Sequence, residues 1–240
     1  MEHVKALRRL CLGALLLAAA VPLLLTGTGR TKPVFVRMPD QTLIIDPGHG
    51  GEDGGAVSVT GRPESGVNLS IARRLDLLMG FCGAPAVMTR ETDVSIHDRG
   101  ASTLREKKVS DLRNRVALVN GVGNGTLITI HQNASPRRTD RGCQVFYGDE
   151  VLSRPLARRI QAAVREQLDP GNRREVQRVD SSVYLMNHIS CRAVLVECGF
   201  LSNPEDDRQL HDPAYQKKLA VILAACYLTD GDTQEGESLL

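Results

Sequence analysis

The stretch that most constrains this chain is Ile44-Ile45-Asp46-Pro47-Gly48-His49-Gly50-Gly51. An apolar run of strand type stops abruptly in Asp-Pro-Gly, and the next residue is a histidine set among glycines. Strands that end this way present their last side chains at a sheet edge, where ligands bind in α/β folds. The glycines remove bulk, so something larger than water can approach the imidazole. Two further stretches repeat the design: Leu127–Ile130 runs into His131-Gln132-Asn133, and Ala193–Val196 runs into Glu197-Cys198-Gly199. Each apolar strand delivers a metal-capable or acid/base residue at its carboxyl end, which is the layout of a metalloenzyme.

At 240 residues, less a leader and a tail, the chain suits one catalytic domain, expected at 41–229. Lys5, Arg8 and Arg9 precede an apolar run from Leu10 to Leu25. That run is short for a membrane span and long enough for a signal-peptide core, so residues 1–29 are expected to be a signal peptide or membrane anchor. Leu25-Thr26-Gly27 is followed by Thr28 where a lipidated Cys would be required, which excludes lipidation. Residues 30–40, with Pro33 and Pro39, are expected to be a linker. Residues 230–240 carry four acids and are expected to form an acidic disordered tail.

The formal charge of +2 comes from the leader; the rest of the chain carries 27 residues of each sign. No basic field argues for nucleic acid. Trp is absent and aromatics make up 3%, which argues against a carbohydrate site of stacked indoles. Cys82, Cys143, Cys191, Cys198 and Cys226 are odd in number and show no CxxC spacing, so a disulfide scaffold is not expected.

Strands are predicted at 42–46, 86–89, 127–130, 145–147, 183–186 and 193–196 from their apolar runs. Helices are predicted over 64–79, around Leu112–Val119, over 152–168 and from Pro213 onward. Residues 91–110 are polar and expected to be a loop over the site; 171–182 are expected to be irregular. This alternation predicts one α/β domain, with a mostly parallel or mixed central sheet covered by helices on both faces. A zinc site is expected at the carboxyl ends of the strands.

Catalytic zinc takes three protein ligands of His or carboxylate type and leaves a fourth position for water. His49, His131 and a carboxylate are the candidates. Glu64 suits best because it opens a helix that packs back toward the first strand; Glu52 and Asp53 rival it on spacing alone. Such a site lowers the pKa of bound water toward about 7, and Glu197 can act as general base on it. A lone strand-end His is more often a cap or core residue, and only the assembly of two His and two Glu raises a metal site to parity. Cys198 invites a nucleophile reading with His131 as base, but a strand-to-loop thiol is more often packed. His97, His188 and His211 read as solvated loop residues, as do Arg137, Arg138 and Arg141. The arginines retain a secondary reading as contacts to stem-peptide carboxylates. The glycines at 48–55 match neither GxGxxG nor a phosphate-binding GK[S/T] loop.

Ile45–Ala56 resembles the opening motif of the type 3 zinc N-acetylmuramoyl-L-alanine amidases. The resemblance continues through Gly61–Leu69, Thr89-Arg90, Asp93, Arg99, Leu112–Asn120, Ile130–Asn133 and Leu195–Pro204, covering roughly 42–228. It implies one Zn²⁺ held by His49, Glu64 and His131, Glu197 as catalytic glutamate, and cleavage of the amide joining the lactyl group of N-acetylmuramic acid to L-alanine. His131–Asn133, Gln144–Tyr147 and Glu197–Asn203 are similar to the germination-specific branch of spore formers. Ser65 and Cys191-Arg192 depart from that branch, where Lys and a proline are usual. The branch implies muramic-δ-lactam formation in the spore cortex, with a deacetylase acting afterwards. Its implied setting is extracytoplasmic, membrane-associated or in the wall, with peptidoglycan as substrate and an accessory protein as possible partner. An exported zinc carboxypeptidase and a non-catalytic wall-binding module are the competing readings.

Overall fold

The computed structural model describes residues 40–84 and 86–229. The expected leader, all of the linker but residue 40, and the acidic tail lie outside the described residues. Among the described residues, no helix is long and apolar enough to cross a membrane.

The elements run β1 (Thr42–Pro47), α1 (Glu64–Phe81), β2 (Val87–Met88), α2 (Leu104–Gly121), β3 (Gly125–Asn133), β4 (Gln144–Tyr147), α3 (Arg154–Gln167), β5 (Gln177–Arg178), α4 (Tyr184–Asn187), β6 (Arg192–Phe200), α5 (Pro204–Leu210) and α6 (Pro213–Leu228). They form a six-stranded sheet ordered β2-β1-β3-β6-β4-β5. β2, β1, β3 and β6 are mutually parallel, β4 runs antiparallel to β6, and β5 is parallel to β4. The sheet is therefore mixed, as expected.

Both faces are covered, and the strand period of two sorts the side chains between them. Leu43 and Ile45, Ile128 and Ile130, and Val194 and Val196 pack with Val67, Ile71 and Leu75 of α1, Leu156 and Ile160 of α3, and Leu219 and Leu223 of α6. The alternate set, Ile44, Leu127, Ala193 and Leu195, packs with Val119 of α2 and Leu185 and Met186 of α4. On this second face the pattern turns polar at the strand ends: Asp46, Thr129, His131 and Glu197 follow in the same alternation.

Two expectations fail. Residues 183–186 are not a strand but lead into the single-turn α4, where Asn187 Nδ2 donates to the carbonyls of Asp180 (2.9 Å) and Val183 (2.7 Å). β6, which follows this run, already has β3 and β4 on its two edges, and Leu185 and Met186 instead pack on the sheet face with Ile44 and Leu195. Residues 91–110 are not loop throughout, because α2 starts at Leu104. Thr103 Oγ1 accepts from the Glu106 N–H (3.2 Å) and Glu106 accepts back from the Thr103 N–H (3.0 Å), a capping box whose Thr-x-x-Glu signature was readable. The short β5, inside the expected irregular segment, and α5, capped by Asn203, carry little periodicity of their own.

Candidate metal centre

β1, β3 and β6 end side by side. Asp46 lies beside Thr129, Pro47 beside Ile130, and His131 beside Glu197 in the ladder register. The glycine loop after β1 folds over the start of α1: Glu64 N–H donates to the Ala56 carbonyl (2.8 Å) and Ser65 N–H to that of Gly54 (3.0 Å). This brings the Glu64 carboxylate, buried at 2% exposure, between the two imidazoles.

His49, Glu64 and His131 each offer a ligand atom, and all three atoms lie within 4.8 Å of one another. His49 Nε2 is 3.4 Å from Glu64 Oε2, and His131 Nδ1 is 3.0 Å from Glu64 Oε1. The two rings meet edge to face with centroids 5.0 Å apart. Glycine makes this possible. A Cβ on Gly48 would fall 2.1 Å from the His131 ring, and one on Gly55 would fall 2.5 Å from Glu64 Oε2. His49 itself takes φ = 60°, a conformation costly for a residue with a Cβ.

Two buried guanidinium groups hold that backbone. Arg90 donates to the carbonyls of Pro47 (2.9 Å), Gly48 (2.9 Å) and Ser65 (3.0 Å). Arg115, from α2, donates to the carbonyls of Pro47 (3.0 Å) and His49 (2.7 Å), to Asp46 Oδ1 (2.6 Å) and to Asp111 Oδ2 (2.7 Å). Burial would raise the Asp46 carboxyl, but Arg115 and the hydroxyls of Thr129 and Thr89 outweigh it and hold it at about 2. Burial lowers Arg90 to about 10, with the Arg115 charge adding to the effect.

The rival carboxylates of the glycine loop do not join the three-residue set. Glu52 pairs with Lys107. Asp53 Oδ2 sits 3.1 Å from His49 Nδ1 and 3.2 Å from Lys108 Nζ, where it orients the imidazole so that Nε2 faces Glu64. Burial acts to raise Asp53, yet His49 and Lys108 hold it below the usual carboxylate range.

Glu197 stands apart from the triplet on the next strand. Its Oε2 is buried without a hydrogen-bond partner. Burial pushes its carboxyl up to about 7; His131 opposes that shift and Glu64 adds to it. Glu64 is the opposite case: burial would raise it, but the His131 and His49 contacts hold it at about 2. Two carboxyls in one site with such different proton affinities suit two roles, ligand and proton carrier. The donor set fits a borderline metal: two imidazoles, one ionised carboxylate, a cradle that a Cβ would fill, and an orphaned buried oxygen facing it.

A cleft of about 280 Å³ opens onto His49, His131 and Glu197. Its far wall is apolar, from Val183, Leu185 and Met186, with Tyr184 among them, and Lys108 and Asp111 border it. No pattern in the sequence marks this wall, because residues 183–186 read as a strand. Cys198 is a packed thiol whose S–H lies 3.6 Å from the Val196 carbonyl; burial raises it well above its ordinary value, as expected for a core residue and not a nucleophile. His188 is exposed and stacks on Tyr184 at 3.9 Å. His97 is half-buried, with Nδ1 2.9 Å from Ser95 Oγ. His211 is not solvated as expected: Nδ1 lies 2.8 Å from the Asp207 carbonyl and 3.0 Å from its carboxylate.

The sequence profile of the N-acetylmuramoyl-L-alanine amidases matches residues 43–226. The germination-specific N-acetylmuramoyl-L-alanine amidase of Bacillus subtilis (strain 168) is 37% identical over 191 residues, 79% of each chain. The solved structure of the CwlD amidase from Clostridioides difficile, in complex with the GerS lipoprotein, superposes with a TM-score of 0.75 at 33% identity. That match covers 82% of this chain and 99% of that one. An N-acetylmuramoyl-L-alanine amidase from Clostridium difficile 630 follows at TM-score 0.69 and 27% identity, over 80% of this chain and 97% of that chain.

Proposed function

The chain belongs to the N-acetylmuramoyl-L-alanine amidase family, and from that premise we propose that His49, Glu64 and His131 hold one Zn²⁺ while Glu197 carries the proton. The bond cleaved is the amide between the lactyl group of N-acetylmuramic acid and the L-alanine of the stem peptide. The observation that carries this reading is the convergence of three ligand atoms within 4.8 Å next to a buried, unpartnered carboxylate.

Zinc in that position supplies Lewis acidity to the attacking water and the scissile carbonyl. The protein supplies the rest. Asp53 fixes the His49 ring through Nδ1. Glu64 is anchored by the N–H groups of Ala56 (2.9 Å) and Gln132 (3.0 Å) and by Asn68 Nδ2 (3.1 Å), so its carboxylate does not swing away. Glu197 takes the proton of the attacking water at its carboxylate and returns it to the leaving alanine nitrogen. Burial favours the protonated form of Glu197 while an adjacent dication would favour the ionised form, and a carboxyl between these two influences suits both accepting and returning a proton. The apolar wall at 183–186 sheds water from the cleft and strengthens every charge interaction in it.

The biological setting is read from relatives. Similarity to germination-specific amidases supports a role in spore cortex, with the stripped muramic acid converted to δ-lactam and a deacetylase acting downstream of the amidase. The complexed relative supports a lipoprotein partner. Action outside the cytoplasmic membrane, delivered by residues 1–29, completes the proposal.

Digestion of purified peptidoglycan, with and without added Zn²⁺, tests it. Release of intact stem peptide from glycan, with stoichiometric zinc by elemental analysis, is the expected result. Trimming of the stem from its carboxyl end would instead identify a carboxypeptidase, and binding without any release would identify a wall-binding module.

A further inference from the structure

Two loops at the active-site end of the sheet, 134–143 and 168–176, bring together Arg137, Arg138, Arg141, Arg173 and Arg174. Arg141, Arg173 and Arg174 line a recess of about 430 Å³. β4 runs antiparallel, so its first residue, Gln144, lies directly opposite Glu197, which in turn lies beside His131. The three residues form one row across the sheet, and Arg174 extends the row: its Nη1 donates to Gln144 Oε1 at 3.2 Å.

The recess is built and held. Arg174 Nε donates to the Arg141 carbonyl (2.7 Å) and its guanidinium lies 4.4 Å from the centroid of the Phe200 ring. Buried Asn172 ties the loop down through the carbonyl of Cys143 (2.8 Å) and the N–H of Arg174 (2.9 Å). The other loop is fixed by Asn203 Nδ2 on the Arg138 carbonyl (2.8 Å) and by the Ser202 hydroxyl on the Ser135 N–H (2.9 Å). Asp140 and Asp169 also line the recess and offset part of its charge, leaving an excess of guanidinium groups. Asp140 pairs with Arg137 (3.3 Å), Asp169 lies 3.6 Å from Arg141, and Glu175 is held by Arg165 (2.8 Å). Asp206 is spent on the N–H groups of Gly142 and Phe200. Arg138 and Arg173 are exposed and no carboxylate among the described residues pairs with either.

We propose that this guanidinium-lined recess is a subsite for the free carboxylates of the stem peptide, downstream of the bond that is cut. The inference rests on the amidase reading, and direction follows from the mechanism. Glu197 must reach the leaving nitrogen, so the peptide half of the substrate departs from the metal on the Glu197 side, toward β4. Length agrees: strands sit about 4.8 Å apart, which puts Gln144 about 10 Å from His131, and an extended chain advances about 3.4 Å per residue. A carboxylate three to four residues beyond the scissile amide therefore arrives at Arg174 and its neighbours. Guanidinium forks recognise such groups with paired, charge-assisted hydrogen bonds.

The test uses the zinc-loaded enzyme and two muropeptides, one with free stem carboxylates and one with those carboxylates amidated. The wild type is expected to prefer the free acid by about tenfold in kcat/KM, carried by KM, the size of one good charged contact. Arg141→Gln/Arg173→Gln, both exposed positions that leave the Arg174 anchors intact, is expected to shrink that preference to within about twofold, with the melting temperature as a control for fold. A wild type that cleaves both substrates equally well, or a double variant that keeps the full preference, overturns the subsite while leaving the amidase standing. A wild type that cleaves neither overturns the amidase reading beneath it. If the double variant instead loses only its retention on phosphate-rich wall polymer, the recess is a wall-docking surface and the proposal is wrong.

Discussion

The two walls of the cleft are built by opposite means. On the ligand side, the backbone from Pro47 to His49 is held by buried guanidinium groups, each donating to several carbonyls at 2.7–3.0 Å. On the facing side, Ser182–Met186 is held by packing of Leu185 and Met186 against Ile44 and Leu195, and by the Asn187 side chain. Charged hydrogen bonds are directional and resist a change of a few tenths of an ångström; apolar packing tolerates repacking at similar volume. The proposed metal ligands need the first property. A wall that meets a large saccharide–peptide substrate needs the second.

The largest effects belong on the ligand side. His49→Ala or His131→Ala should abolish both bound zinc and turnover, because a three-ligand site loses one of its donors. Full zinc occupancy in His49→Ala by elemental analysis would remove His49 from the site. Glu197→Gln is the next step down: zinc content and fold should be retained while turnover falls by about 10²–10⁴, the usual worth of general acid/base assistance. Loss of zinc in Glu197→Gln would make it a ligand and reopen the assignment of Glu64.

Arg115→Met probes the clamp itself. Removing one member of a buried ion cluster typically costs about 3–5 kcal/mol, because Asp46 and Asp111 are left without their partner. Denaturant unfolding measures it, and a loss below about 1 kcal/mol would show the clamp to be unimportant to the fold. The acid limb adds a sign. Asp46 is held at about 2 against an ordinary 3.8, so its stabilisation is fully present above the ordinary value. It is lost as the pH falls toward about 2, a change of roughly 2 kcal/mol. In Arg115→Met, burial loses its largest opponent, the Thr129 and Thr89 hydroxyls remain, and the Asp46 carboxyl rises. The cost of the substitution should therefore shrink as the pH falls; a cost that is constant from pH 6 to pH 3 would sink the pairing as its cause.

The difference between the walls also explains what was legible in the sequence. Strand ends are written in apolar runs that stop at His or Glu, so His49, His131 and Glu197 could be placed from pattern, and Glu64 from the helix it opens. Family motifs sharpened those assignments. The clamp was not legible as a clamp: Arg115 is 2% exposed in a helix that reads as mostly polar, and single-sequence patterning assigns arginines to solvent. Its one local trace is Asp111 at i−4. Spacing does not reveal which imidazole nitrogen Asp53 faces; its carboxylate lies against His49 Nδ1. The apolar wall was misread outright, since four apolar residues cannot be told from a strand when the sheet's free edges are unknown.

The smallest expected effect tests the adaptable wall. Tyr184 lines the cleft, is half-buried, and rests on the exposed His188 ring, so the fold depends little on it. Tyr184→Ala removes apolar surface from the substrate side without touching a ligand, the base or the clamp. Stability should change by less than about 1 kcal/mol, as for other partly exposed positions outside the core. Zinc content should be that of the wild type. The loss should fall on KM for polymeric peptidoglycan, by about three- to tenfold, equivalent to roughly 1 kcal/mol of contact, with kcat nearly unchanged because the contact is made equally in ground and transition states. Tyr184→Phe should restore most of it if the ring's apolar area is what counts, and little if the hydroxyl is. A fall in kcat with KM unchanged would mean that this wall positions the reacting atoms, and the contrast between a rigid ligand side and an adaptable substrate side would no longer hold.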